Sequence, residues 1–121
     1  MTIMSNKEIL ENNKLIANFM GVKIGEERYS YRIGVTEPLQ EKHLNYNNSW
    51  GWLMPVIEKI ESDNIMATVV IICNKCQITL FDFESVPKFA KTIQANDKLK
   101  ATWLCVVEFV KRFNLQSVPD K

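Results

Sequence analysis

The run Met66-Ala67-Thr68-Val69-Val70-Ile71-Ile72-Cys73 restricts the folds open to this chain more than any other stretch. Every position but Thr68 is apolar, so a strand built from it has no polar side to give to water. Such a strand is expected to be covered on both faces, by a helix on one side at least and something apolar on the other. The run is far too short for a membrane span, which needs about 20 apolar residues. Asn74-Lys75 then reads as a two-residue hairpin turn, with Asn able to take a positive φ. Cys76 to Phe83 is the return strand, with Ile78 and Leu80 alternating with Thr79 and Phe81.

Ahead of this hairpin lies Ser49-Trp50-Gly51-Trp52-Leu53-Met54-Pro55-Val56-Ile57-Glu58-Lys59-Ile60-Glu61-Ser62. Ser49 suits an N-cap, because its hydroxyl can accept a bond from a free first-turn amide. Pro55 is tolerated only in a first turn, so the regular helix is predicted to begin near Leu53, after a tight turn at Trp50 to Trp52. Leu53, Val56, Ile57 and Ile60 share one face, and Glu58, Lys59 and Glu61 the other. The two tryptophans have two readings. Either they anchor a core helix, or they wall a pocket and stack on a flat ligand.

Two more helices flank these elements. Ser5-Asn6-Lys7-Glu8 has capping-box spacing and opens a helix to Met20, with Ile9, Ile16, Phe19 and Met20 inward and Asn12, Asn13 and Asn18 toward water. Gly21 supplies a left-handed stop. Asn96 or Asp97 caps a long helix to about Asn114, with a stripe of Leu99, Trp103, Val106, Val107 and Val110. Glu84 to Ala95 stays open between a short helix begun by Pro87 and a surface loop.

The stretch between the first helix and Ser49 is strand-like. Val22 to Gly25 reads as a short strand. Arg28 to Val35 alternates, with Tyr29, Tyr31, Ile33 and Val35 toward the core and Arg28, Ser30, Arg32 and Gly34 away from it. The outward side is either a solvated strand face or an anion-binding patch. Thr36 to Gln40 is a loop, and Lys42 to Tyr46 a third short strand. The order helix, strands, helix, hairpin, helix predicts one α+β domain over 1–121, with loose ends at 1–4 and 115–121. Its sheet is antiparallel or mixed, of four to five strands, with three main helices.

Charge and cysteine usage remove several function classes. The net charge of +1 gives no general attraction to nucleic acid or anionic lipid. Only Arg28, Arg32 and Arg112 among the 15 basic residues are arginine, the residue that does most bidentate base reading. Three cysteines and a start without a basic-then-apolar leader point to a reducing cytoplasm. Cys73-Asn74-Lys75-Cys76 is a CxxC, but it brackets a turn instead of opening a helix, where the dipole would lower a thiol pKa. Zinc needs four ligands, and Cys105 and His43 are isolated. Asp82 and Glu84 could hold a cation or form an acid pair, although exposed strand-end acids are far commoner. There is no P-loop, GxGxxG, HExxH or EF-hand pattern. No catalytic residue, metal or cofactor is therefore expected, and a binding or structural role is the default.

Three segments resemble a known group. Asn13-Lys14-Leu15-Ile16-Ala17-Asn18-Phe19-Met20-Gly21 is similar to an opening "NKLIAxFMG". Ser49 to Glu61 resembles "SWxWLMPVVEKIE". Lys98-Leu99-Lys100-Ala101-Thr102, with Val106-Val107-Glu108-Phe109-Val110-Lys111, resembles a closing "KxxATxxAVVEFIKWYN". These belong to small proteins from phages and prophages of Bacteroidetes-type bacteria that resemble the phage ABA sandwich group, and the likeness spans nearly the whole chain. Gly51 stands where an acidic residue is common, and Arg112-Phe113 where the group often has Trp-Tyr. The resemblance implies helix, sheet and helix layers and phage provenance, and it assigns no chemistry.

Small phage proteins are often binders that act on host processes. The first expectation is a non-enzymatic protein that sequesters a small nucleotide-type ligand, such as an immune second messenger. Trp50, Trp52, Tyr29, Tyr31, Arg28, Arg32, Lys42 and His43 are the candidate ligand-binding residues, because that task needs an aromatic platform and a few cations. The alternative is a protein-interaction module that blocks or adapts a host protein, which predicts an exposed apolar patch. Either suits a homo-oligomer in the bacterial cytoplasm, with no nucleic acid or membrane partner.

Overall fold

The computed structural model describes residues 4–22, 27–30, 35–38, 43–62 and 65–117, with the backbone alone for 27–30, 35–38 and 115–117. In chain order the elements are α1 (Asn6–Phe19), β1 (Glu27–Ser30), β2 (Val35–Pro38), α2 (Trp50–Ile60), β3 (Ala67–Ile72), β4 (Lys75–Phe81), β5 (Pro87–Gln94) and α3 (Lys98–Ser117). The fold is α+β, with three helices and a three-stranded antiparallel sheet in the order β3-β4-β5; β1 and β2 form a separate antiparallel pair.

Several local expectations change. The alternation over Arg28 to Val35 is not one strand, since Ser30 pairs with Val35 and Glu27 with Pro38. Thr36 to Pro38, read as loop, is strand. Period-two alternation cannot tell one strand from two that meet at a turn. The expected strand at Val22 to Gly25 falls mostly on residues outside those described. His43 to Tyr46 is not a strand: Asn48 N–H donates to the Asn45 carbonyl at 3.2 Å, so the asparagines impose turns.

Residues 84–95 resolve as mostly strand. β5 begins at Pro87, where a first edge-strand residue needs no ladder donor. Phe89 and Ile93 lie opposite Leu80 and Cys76, and that register tucks their rings and methyls under α3. The hairpin turn puts the positive φ on Cys73 (53°) and not on Asn74. Asn74 contributes otherwise, accepting Ala95 N–H at 3.1 Å and donating its side-chain amide to the Asn96 carbonyl at 3.3 Å.

α3 is the long core element. Ala101, Cys105, Val106, Phe109 and Val110 are fully buried, and they pack on Cys76, Ile78 and Leu80 of β4. α1 lies against α3, its Phe19 ring edge-on to Phe109 and Phe113 at 6.3 and 5.5 Å. Lys59 of α2 donates to the Phe19 carbonyl and lies 4.5 Å from the Phe19 ring centre, which satisfies the C-terminal end of α1. The helix runs on to Ser117, three residues past the expected end.

The expectation that β3 is covered on both faces is overturned. Ala67, Val69 and Ile71 turn toward the helices, whereas Val70 and Ile72 on the other face are 46% and 62% exposed. A six-residue strand satisfies one buried face with three apolar side chains, and β-branched residues are favoured on the pleat even where wet. Among the described residues the helices contact the sheet from the Ala67, Cys76, Ile78 and Leu80 side. No helix among them is long and apolar enough to cross a membrane.

Candidate functional site

α2 starts earlier than Pro55 suggests, at Trp50, so Pro55 sits inside the helix on an exposed face. Ser49 has extended N-cap angles, but its hydroxyl makes no capping bond. Trp50 and Trp52 are partly buried and packed on the core, with the Trp52 ring edge-on to buried Tyr46 at 5.1 Å. They are helix anchors with some ring surface left. His43 lies on the segment before Leu44, half-buried. Arg28 and Tyr29 are placed by backbone only, on β1 opposite Glu37 and Thr36. Tyr31, Arg32 and Lys42 lie outside the described residues.

A cleft forms elsewhere, where the start of α1, the turn at 45–49 and the start of α3 meet. It is a cavity of about 280 Å³ whose apolar walls are Met4, Ile9, Leu99 and Trp103 and whose polar rim is Asn47, Asn48, Asp97 and Lys100. Asp97 is there because it caps α3: one carboxylate oxygen accepts the Lys100 amide at 2.7 Å, and the Asp97 carbonyl accepts the Ala101 amide at 3.1 Å. That fixes the acid at the mouth with its second oxygen free to accept a ligand N–H. Lys100, one turn into the helix, brings the cation.

Beneath the cavity is a polar network that the sequence concealed. Asn13, expected to face water, is 1% exposed. Its side-chain oxygen accepts the Trp103 indole N–H at 2.9 Å, and its amide donates to Asn47 Oδ1 at 2.9 Å and to the Leu44 carbonyl at 3.3 Å. A buried amide must find such partners. The network holds the Trp103 ring and the Asn47 side chain in place, so the cavity wall is built before any ligand arrives. Trp103 is 3% exposed, so it offers an edge of wall and not an open stacking face. Capping chemistry marks Asp97 as one of two candidate caps, but nothing local in the sequence marks Asn13, because its partners lie 34 and 90 residues away.

The cysteines divide. Cys73 is exposed at the hairpin tip; Cys76 and Cys105 are buried. Cys105 Sγ donates to the Lys91 carbonyl at 3.3 Å. Cys105 and Thr102 can both donate to Cys76, which favours ionisation there against its burial. Hydrogen bonding to Cys76, and then burial, push the Cys105 thiol far up, so this pair keeps a proton well into alkali. Among the described residues no group of three His, Cys, Asp or Glu could hold a metal ion. Asp82 is occupied inside its own loop, accepting the Glu84 and Val86 amides at 2.9 Å each.

That loop carries the most exposed large apolar side chain among the described residues, Phe83 at 96%, beside Val86 at 52%. No protein-family model, curated protein or solved structure matches the chain.

Proposed function

We propose that the chain is a non-catalytic binding protein that sequesters a small nucleotide-type ligand in the cavity between α1, the 45–49 turn and α3. The observation that carries this reading is the meeting of Asn47, Asn48, Asp97 and Lys100 above apolar walls already held by the Asn13–Trp103 bond. Pockets with apolar walls and a few convergent polar groups are the usual form of small-ligand sites. A base-sized ring suits the volume of about 280 Å³. Asp97 and the asparagine amides match the donors and acceptors of a base edge, and Lys100 suits a phosphate. Trp50 and Trp52 at the start of α2 are not among the described residues that line the cavity. Calorimetry against a panel of mononucleotides and cyclic nucleotides tests this: at least one binds, and Lys100→Glu weakens it about tenfold or more. No heat and no thermal shift with any member at about millimolar ligand contradicts the reading.

A second reading, a module that blocks or adapts a host protein, is favoured by Phe83. A phenylalanine 96% exposed beside Val86 is the kind of anchor that protein interfaces bury. The layered α/β/α sandwich implied by the resemblance to the phage group, with the four to five strands expected from the element order, is also a proposal. It requires β1 and β2 to join the sheet and a layer to cover Val70 and Ile72. Strong amide protection in β1 would support it.

A further inference from the structure

The two outer edges of the three-stranded sheet differ. β5 opens on Pro87, carries Lys88 and Lys91, and meets β4 through a register shift at Leu80/Phe81. All three features discourage a further strand. β3 has no charge, no proline and no bulge. In its register with β4, Ile72 and Lys75 flank the turn, so alternate residues Ile72, Val70 and Thr68 bond to β4. The backbone groups of Ala67, Val69 and Ile71 therefore point away from the sheet. Val69 follows this pattern, because its amide donates sideways to Glu61 Oε2 at 3.3 Å.

The side chains along β3 are also unequal. Val70 and Ile72 stand out at 46% and 62% exposure. At the other end of the strand Glu61, Met66, Ala67, Thr68, Phe81 and Ser85 line an open groove of about 510 Å³.

We propose that β3 pairs antiparallel with β3 of a second copy of this chain, across a two-fold axis at Val69, so that the two sheets become one. In this register Val69 faces the partner's Val69 and Ala67 faces the partner's Ile71. All the outward backbone groups of β3 then exchange hydrogen bonds. The axis also exchanges strand ends. The partner's Ile72 arrives opposite Met66, on the face that carries Thr68 and Phe81, and fills the groove. The partner's Val70 lies beside Thr68. An exposed knob at one end of the strand and a groove at the other are what a self-complementary interface requires. Glu61 competes with this pairing, since its carboxylate holds the central amide and must swing aside.

Sedimentation velocity of the full chain from about 1 to about 200 µM, with hydrogen exchange at the Ala67 and Ile71 amides, tests the proposal. A dimer is expected, with both amides exchanging more slowly as concentration rises. Val70→Lys, at an exposed position, gives a folded monomer, and Glu61→Ala tightens the dimer about fivefold or more. Cavity variants such as Lys100→Glu leave this readout unchanged. A chain monomeric over the whole range overturns the proposal, as does a dimer in which Ala67 and Ile71 exchange as fast as at low concentration. The exchange measurement on the unaltered chain decides the matter even where a variant misfolds.

Discussion

Cys73 holds φ at 53°, a conformation that L side chains adopt at a cost of about 1 kcal/mol or more. Its side chain is exposed, so glycine there loses little packing. Cys73→Gly is expected to raise stability by about 1 kcal/mol, read as a higher urea midpoint with an unchanged slope. The opposite case is Trp103. Trp103→Phe keeps most of the ring but removes the N–H that Asn13 Oδ1 accepts, leaving a buried acceptor without its partner. A loss of about 1–3 kcal/mol is expected, and a neutral result would mean that the network does not hold the wall. At this scale the sequence was a poor guide. Asn13 lies on a helix whose other asparagines are solvated or half-buried, and no local pattern separates it from them.

The elements were easier to read, and the errors have identifiable causes. Capping chemistry at Ser5 and Asp97 and the stripe from Leu99 to Val110 placed α1 and α3. The β3–β4 hairpin followed from its apolar run and turn. β5 was missed because Pro87 suggested a helix start, whereas an edge strand accepts the same residue. The two serine caps should now behave differently. In α1 the Ser5 hydroxyl accepts the Glu8 amide at 3.2 Å and the Glu8 carboxylate accepts the Ser5 amide at 3.3 Å. Ser5→Ala is therefore expected to cost about 0.5–2 kcal/mol. Ser49 makes no such bond, and Ser49→Ala should stay within about 0.5 kcal/mol of the parent in the same denaturation assay.

The contact of α3 with β4 also sets a pH dependence. An unfolded thiol ionises near about pH 8.5, while Cys105 in the fold keeps its proton because Cys76 and burial raise it. Above that pH the unfolded chain binds fewer protons than the folded one, so stability falls as pH rises, by up to about 1.4 kcal/mol per unit. Below it the contribution is fully present. Because burial would raise Cys76 once its Cys105 partner is gone, it takes the double variant Cys76→Val with Cys105→Val to flatten the alkaline limb of a stability–pH curve measured by denaturation.

For the whole molecule, the order of elements gave an α+β chain but not the separation of β1–β2 from the main sheet. Pairing between distant strands leaves no local trace, and a uniformly apolar strand looks the same whether one face or two are buried. Nor did the sequence show the cavity, because its walls come from three segments brought together by the core. Trp50 and Trp52 stand out in the sequence, and both pack partly on the core, Trp52 edge-on to Tyr46. Titrating the isotope-labelled chain with a mononucleotide panel, followed by amide and indole NMR shifts, tests the central claim most directly. The account predicts saturable shifts at Asn47, Asn48, Asp97 to Lys100 and the Trp103 indole. Shifts centred instead on Trp50, Trp52 and His43, or none with any nucleotide, would contradict it.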